Sequence, residues 1–538
     1  MSGLDTPLTP LRFLARASAV HPTKVAVIDG SRRWTYAALA RDVQRLAKAL
    51  RKSGIRPGDR VAYLASNSAE MLCAHFAVPL AGGVLVAINT RLAAGEIEYI
   101  CDHAEASILV ADALLLHGND LSSTTSTVRE VVETPGYEGQ YEHIPGTITY
   151  DALLDRGADQ DDIEWQVDDE NAVIAINYTS GTTGRPKGVM YTHRGAYLNA
   201  LGELHHQRFG VDTRYLWTLP MFHCNGWCST WAVTAASGTH VCLRAVRGDA
   251  IWELIDSERI DHLAGAPTVL SLLVAARQAH HLDSPLTVVT AGAPPSPTTI
   301  GAVRDLGATL VHVYGLTETY GPYSVCEDKP EWAELPAEEQ SRLMARQGVG
   351  LLTADDLRVV RKGLNADGRL TDVVPDGVEM GEIVMSGNNV MKGYYRDAPG
   401  TESAFEGGWF HSGDLGVMHP DGYVQLLDRA KDVVISGGEN ISSIEVEQAL
   451  MSHPAVADVA VVGVPDEKWG ETPKAFVVLA PGSRSSATEL ISHVRTAIAS
   501  YKAPQTIEFM DELPKTSTGK TRKNELRGAS SDIEVPLH

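Results

Sequence analysis

The sequence predicts an α/β protein: a large N-terminal domain of βα-layered sheets, residues 1–429, followed by a small C-terminal α+β domain, residues 430–538. Three observations predict it. Short β-branched apolar runs recur between helix-period segments, the pattern of βα units around a mostly parallel sheet. The roughly 107 residues after Lys431 change rhythm, alternate strand and helix at short spacing, and have the size of a small independent unit. The 538 residues are 44% apolar and 21% charged, a composition that supports a large buried core and two to four domains.

Taken in order, Arg60–Ala65 reads as a strand, Ala69–Pro79 as a helix and Val84–Ile88 as a strand, followed by a helix over Ala94–Asp102 and a strand over Ser107–Ala111. Leu115–Gln166 is weakly patterned and polar and reads as surface connection. Ala172–Asn177 is an apolar strand. The βα rhythm returns with a strand over Asp261–Ala264, a helix over Pro267–Ala279, a strand over Leu286–Thr290, a helix over Pro297–Leu306 and a strand over Leu310–Val313. The charged run Asp428–Lys431 between two apolar segments marks the domain boundary. Beyond it, Val433–Ile435, Val456–Val464, Ala475–Leu479 and Thr506–Met510 read as strands, with helices over Ile444–Met451 and Ala487–Ala499. The tail after Arg527 is short and polar and is expected to fray.

Composition excludes several classes. Lys and Arg number 46 against 68 Asp and Glu, a formal charge of −22. A general nucleic-acid binder needs a basic surface to displace counterions, and docking on anionic membranes needs the same. Small anionic substrates remain compatible, because a few placed cations can serve one pocket. The longest apolar stretch, Met71 to Ile88, is broken by His75, Pro79 and two glycines, so no membrane span is expected. The N-terminus lacks the basic start and apolar run of a secretory signal, and the closing residues VPLH match no peroxisomal or ER address. The six cysteines, Cys73, Cys101, Cys224, Cys228, Cys242 and Cys326, show no CxxC spacing. They read as reduced thiols of a cytoplasmic chain.

The most informative segment is YTSGTTGRPKG, Tyr178–Gly188, directly after an apolar strand. Its glycines, hydroxyl side chains, Arg185 and Lys187 suit the wrapping of a polyphosphate, although such a composition also describes a solvated turn. It is not a Walker loop, since Gly181, Gly184 and Lys187 have the wrong spacing, and Gly519-Lys520-Thr521 fails the same pattern because Pro514 stands five residues before Gly519.

Further segments stand in order along the chain: TSGTTGRPKG from Thr179, YGLTE from Tyr314, GWFHSGDLG from Gly408, DRAKDVVISGGENISSIEVE from Asp428 and PKTSTGK from Pro514. With them the chain resembles the adenylate-forming superfamily, which contains acyl-CoA synthetases, peptide-synthetase adenylation domains and beetle luciferases. The resemblance runs from about residue 20 to residue 527. LPMFHCNGW (Leu219–Trp227), GAPTVL (Gly265–Leu270) and RQGV (Arg346–Val349) are similar to short- and medium-chain acyl-CoA synthetases of the methylmercaptopropionate-CoA ligase and plant acyl-activating type.

The resemblance implies an acyl-CoA synthetase-like fold with a mobile C-terminal domain, and an AMP-forming acid–thiol ligase. Its substrates would be a carboxylic acid, ATP and CoA, with Mg²⁺. By resemblance, the loop of Thr179, Ser180, Gly181, Thr182, Thr183, Gly184 and Lys187 holds the β- and γ-phosphates, Thr183 counting also among the catalytic groups. Thr317 contacts phosphate and Glu318 holds the metal. Tyr314 and the turn Gly292-Ala293-Pro294 flank adenine, and Gly315 borders both nucleotide and acyl group. Asp414 accepts from the ribose hydroxyls with Arg429 beside it. Lys520 bridges the acyl carboxylate and the α-phosphate. Lys431 is the implied hinge, about which Gly437, Gly438 and Glu439 swing toward the CoA thiol. His223 is the implied gate between acyl pocket and thiol tunnel, with Asn225, Gly226, Trp227 and Trp231 as pocket candidates.

A Cys224–His223 nucleophile is rejected, on the expectation that neighbours on a strand point to opposite faces. Met221–Trp231 contains no acid to hold an α-amine, which disfavours amino acids. An aryl acid, or transfer to a carrier protein or an amine, is the first alternative, and a silent adenylate-binding protein the second. A homodimer is allowed; nucleic acid and membrane are not expected partners.

Overall fold

The computed structural model describes residues 6–119, 126–135, 143–179, 185–292, 295, 297–436, 439–466, 468–516 and 520–531. Two large sheets form the bulk of the chain. In the first, eight strands lie in the spatial order Gly393–Tyr394, Lys187–Thr192, Val173–Thr179, Val84–Ala87, Arg60–Leu64, Ala106–Asp112, Glu130–Thr134 and Ile148–Thr149. The last six run parallel, and Lys187–Thr192 returns antiparallel on Val173–Thr179. The second sheet, of nine strands, has a parallel centre in the order Thr309–Leu316, Thr287–Thr290, His262–Gly265, Arg214–Trp217, Thr239–Cys242 and Val25–Asp29. Strands of this kind are covered by helices on both faces and so read as unbroken apolar runs.

The helices show why. Ser68 caps Ala69–Leu80 by accepting from the Met71 amide, and every residue of that helix is buried, so its sequence is apolar all round. Thr35 caps the neighbouring Tyr36–Lys52 in the same way, and that helix buries one stripe (Leu39, Val43, Leu46, Leu50). The largest core joins side chains of these helices to both sheets. A buried ion cluster locks the two sheets together: Arg244 pairs with Asp112 at 3.0 Å and with Asp29 at 3.4 Å, and Arg32 pairs with Glu70 at 2.6 Å.

A third, antiparallel sheet orders Leu370–Asp372, Arg358–Leu364, Met380–Met385, Phe410–Met418 and Val424–Arg429. The C-terminal sheet follows: Glu439–Ile441, Val434–Ser436, Gly470–Leu479 and Val456–Asp466, with Thr506–Phe509 parallel to Gly470–Leu479. It carries its own core, Val434, Val446, Leu450, Val461, Val477 and Leu490 among its members.

The structure corrects the sequence reading in four places. Leu115–Gln166 is more than surface connection: Glu130–Thr134 and Ile148–Thr149 extend the eight-stranded sheet, and Val131, Val132, Tyr150 and Leu153 are buried. Those few apolar residues stand among many polar ones, which hid the pattern. The helix from Pro267 stops at Ala275 because Ala276 is already extended (ψ 141°). A helix, Lys523–Ser531, carries the chain beyond Arg527, where fraying was expected. His223 and Cys224 do not lie on a strand; Cys224–Trp227 is a turn that His223 leads into. All six cysteines are free and buried, and no helix among the described residues is long and apolar enough to cross a membrane.

Candidate active site

The site gathers where parallel strands of the nine-stranded sheet end, the edge at which α/β sheets bind ligands. Thr287–Thr290 leads to Gly292, whose φ of +92° suits only glycine. Thr309–Leu316 ends in Tyr314 and Gly315. A Cβ on Gly315 would lie 2.0 Å from the Gly321 carbonyl oxygen, so the strand closes on its neighbour only with glycine there. Thr317–Thr319 then forms a single 3₁₀ turn.

Asp414 faces Arg429 directly across paired strands of the antiparallel sheet. Its side chain is 4% exposed, its Oδ1 lies 3.3 Å from the Arg429 Nε, and its Oδ2 accepts a 2.7 Å bond from the Tyr314 hydroxyl. Oδ1 itself has no hydrogen-bond partner among the described residues, so the cradle keeps an acceptor to offer. Burial raises the Asp414 pKa, and Arg429 and Tyr314 oppose that rise.

Glu318 is part-buried, and its Oε1 accepts from the Tyr394 hydroxyl at 3.0 Å. Burial raises its pKa, with Tyr394, Arg429 and Lys520 among the groups opposing the rise. Tyr394 also links Glu318 to Lys187, whose ammonium lies 4.6 Å from the Tyr394 ring centre and 3.0 Å from the Asp397 carboxylate. Thr179 and Lys187 pair across adjoining strands. Ser180, Gly181, Thr182, Thr183 and Gly184 lie outside the described residues, as do Ala293, Pro294, Gly437 and Gly438. The Thr317 carbonyl accepts from the Tyr191 hydroxyl at 2.7 Å.

Lys520 reaches this place from the C-terminal part of the chain. Its Cε lies 3.4 Å from where a Cβ on Gly292 would stand. Its backbone is tied to Thr516, the amide donating to Oγ1 at 3.1 Å and the carbonyl accepting from the Thr516 amide at 2.6 Å. Burial and Arg429 lower the Lys520 pKa, while Cys224, Asp414 and Glu318 raise it. Lys431 sits exposed in the turn after the strand Val424–Arg429, and Glu439 opens the strand that pairs with Val434–Ser436.

His223 is held beside Lys520. Burial and the lysine charge push its pKa down to about 3, so it is neutral. Cys224 Sγ lies 3.9 Å from His223 Nε2 and 3.6 Å from Thr317 Oγ1. The two side chains are therefore close, contrary to the strand argument, but burial pushes the thiol up to about 11 and leaves it protonated. The five residues Cys224 to Cys228 all have positive φ, from 42° to 60°. For the four that are not glycine this costs about 1–2 kcal/mol each, a strain that only surrounding packing sustains. Gly226 stands against the Trp217 ring, where a Cβ would come within 2.7 Å, and Trp227 packs on Gly321. Asn225, Trp227 and Trp231 are buried here.

Sequence reasoning missed several supports. Tyr394 and Asp397 lie far from Glu318 and Lys187 along the chain. Asn67 donates to the Trp217 and Leu219 carbonyls at 2.7 and 3.0 Å and accepts from the Met221 amide at 2.7 Å. Asn177 donates to the Phe222 carbonyl at 2.9 Å. These two amides fix the segment that delivers His223. A buried-strand asparagine such as Asn177 is the one local signal that could have pointed to them.

A family model described as "AMP-binding enzyme" matches residues 14–395, and one described as "AMP-binding enzyme C-terminal domain" matches residues 445–520. The chain is 42% identical to an acetate–CoA ligase of Humulus lupulus, over 98% of this chain and 95% of the relative. It is 41% identical to an acetate/butyrate–CoA ligase of Arabidopsis thaliana, named as peroxisomal, over the same shares. Among solved structures it resembles the o-succinylbenzoate CoA synthetase of Bacillus subtilis in complex with its acyl-adenylate intermediate, with a TM-score of 0.80 and 29% identity over 98% of this chain and 99% of that one.

Proposed function

The chain belongs to the family of AMP-binding enzymes, and from that premise we infer how its residues divide the work. It is an ATP-dependent carboxylate–CoA ligase. In the first half-reaction the acid's carboxylate oxygen attacks the α-phosphorus of ATP and pyrophosphate leaves. In the second the CoA thiol attacks the acyl carbon, AMP leaves, and a thioester forms. A short aliphatic acid is the substrate class we favour, as acetate and butyrate are for the relatives named above.

One observation carries the assignment of roles: Lys520, Arg429, Glu318 and Asp414 lie within electrostatic reach of one another, with Arg429 3.3 Å from Asp414 and the Lys520 side chain against Gly292. Two anions must meet for adenylation, and fixed cations offset that repulsion without solvent reorganisation. Lys520 draws the acyl carboxylate to the α-phosphate. Asp414, with its open Oδ1, receives the ribose, and Tyr314 and Gly292 flank adenine. Lys187 and the residues of the loop after Thr179 take the β- and γ-phosphates. Glu318 fits Mg²⁺: it is a part-buried carboxylate oriented by the Tyr394 hydroxyl, and Mg²⁺ needs only one or two carboxylates alongside phosphate oxygens. Bound there, it supplies charge neutralisation on the phosphates. His223, being neutral, separates acyl group from thiol without adding charge.

We place the domain boundary at residues 429/430 and the hinge at Lys431, so that rotation withdraws Lys520 and brings Glu439 forward. Free, buried cysteines fit a reducing compartment such as the cytoplasm, and fractionation would distinguish this from a peroxisomal location.

The test is pyrophosphate release across aliphatic C2–C16 and aryl acids, with CoA, a pantetheinylated carrier or an amine as acceptor. Acid-dependent release with CoA thioester as product, highest for short aliphatic acids, is expected. Release with product formed only on a carrier or an amine would replace CoA as acceptor.

A further inference from the structure

The antiparallel strands that flank the phosphate loop are braced by one helix. Ala94–Ala104 buries Ile97, Ile100, Cys101 and Ala104 in a core shared with the eight-stranded sheet. Tyr99 and His103 stand four residues apart on the same helix, their rings stacked with centroids 5.5 Å apart. Each meets one stem of the loop. His103 Nδ1 lies 2.8 Å from the Tyr178 hydroxyl, where the chain enters the loop, and the two rings meet edge to face at 5.7 Å. The Tyr99 hydroxyl donates to the Pro186 carbonyl at 3.3 Å, where the chain leaves it, and the Arg185 guanidinium sits 5.2 Å from the Tyr99 ring centre. The stems pair Tyr178 with Gly188 and Thr179 with Lys187. A Cβ on Gly188 would lie 3.1 Å from the Tyr178 ring, so glycine there gives the ring its place on the hairpin. Tyr395 also meets His103 edge to face at 5.9 Å, and its amide donates to the Gly188 carbonyl at 2.7 Å.

Lys187 and Arg185 stand at the base of the loop, and each is a charge on a long, flexible side chain. The Lys187 side chain is 48% exposed, so its own packing does little to place it. Its position follows from the backbone of the stem that bears it, and small errors in placing a charge against a reacting phosphate are costly. Two aromatic side chains fixed on an anchored helix tie down both stems at once, at the points where the chain enters and leaves the loop. We propose that Tyr99 and His103 are positioning residues for the first half-reaction: they hold the two stems so that Lys187 and Arg185 meet the β- and γ-phosphates of ATP. This rests on the phosphate-loop reading above. It carries a selective consequence. ATP has those phosphates, and AMP and the acyl-adenylate do not, so the brace acts on ATP and is silent toward the other two.

The experiment titrates ATP with Mg²⁺, and separately AMP, into the full-length enzyme and its variants by calorimetry, and follows thioester formation from supplied acyl-adenylate by stopped flow. His103→Leu removes the partner of Tyr178, His103→Asn keeps a polar atom near the place of Nδ1, and Tyr99→Phe and Tyr178→Phe each remove a single oxygen. The expected result is an ATP affinity at least fivefold weaker in His103→Leu and at least threefold weaker in Tyr99→Phe and Tyr178→Phe, with partial recovery in His103→Asn. AMP affinity and thioester formation stay within twofold throughout. ATP affinity unmoved in all four variants overturns the proposal. ATP and AMP affinities that fall together in the two tyrosine variants overturn it as well, and mean that the helix supports the fold and not the phosphates. Should His103→Leu fail to fold, the single-oxygen variants decide. An unaltered enzyme that binds no ATP removes the ligase reading itself, and the proposal with it.

Discussion

The Asp414 cradle and the Lys520 loop converge on one site but are built in opposite ways. Asp414 lies in a register-locked strand, opposite Arg429, bonded by Tyr314 and 4% exposed. Lys520 hangs from a short segment whose own ties are to Thr516, and its ammonium has no hydrogen bond or ion pair among the described residues. The first is a preorganised receptor, the second a long flexible stem carrying a point charge. We read this contrast as a division of labour: recognition would be fixed in the sheet, and the charge for chemistry would arrive on an element able to leave.

The largest effect that would test this contrast is on the moving side. Lys520→Ala is expected to slow adenylation by about 10²–10³, the scale of losing one preorganised transition-state donor. Thioester formation from supplied acyl-adenylate should stay within about threefold. Stopped-flow measurement of each half-reaction checks this, and equal losses in both would break the division. On the fixed side, Asp414→Asn keeps the shape but removes the charge that balances Arg429. The KM for ATP should rise by about tenfold, some 1.4 kcal/mol, with both half-reactions affected.

Lys431→Pro comes next. Proline fixes φ in the turn, so the second half-reaction should slow by on the order of tenfold while the first changes less; a uniform loss would mean that Lys431 is no hinge. Tyr394→Phe removes the donor to Glu318, and adenylation should fall by about three- to tenfold, the worth of one such bond.

The smallest effects are in the pH profile. Burial and Arg429 lower the Lys520 pKa, so its charge is fully present at low pH and is lost as pH rises through a value below 10.5. Adenylation should therefore decline on the alkaline side earlier than a free lysine would allow, and Lys520→Arg should move that limb upward. His223, held near 3, should contribute no acid limb near 6.5. Rate–pH profiles with and without His223→Gln would reveal one if it existed.

Much of this was legible in the sequence because the informative residues sit in short contiguous motifs. Tyr314 with Thr317 and Glu318, Asp414 within GWFHSGDLG, and Arg429 with Lys431 each occupy one local segment, and the parallel strands announce themselves as apolar runs. What escaped depends on contacts between distant segments. Tyr394 meets Glu318 across 76 residues. The strand Arg358–Leu364 is exposed over its last four residues, so it carries no apolar run and the third sheet went unread. The left-handed path of Cys224–Cys228 has one glycine among five residues, and local propensity argues against it. Packing on Trp217 and Gly321 overrides that propensity, which is why a strand was expected for His223 and a strained turn was found.

On this reading one site performs two separable half-reactions. A single-turnover experiment tests it most directly: enzyme with ATP, Mg²⁺ and acid, then CoA added after a delay. Acyl-adenylate and one equivalent of pyrophosphate should form before CoA is present, and added CoA should convert the adenylate to acyl-CoA with stoichiometric AMP. Formation of ADP and phosphate, or no pyrophosphate until CoA arrives, would contradict it.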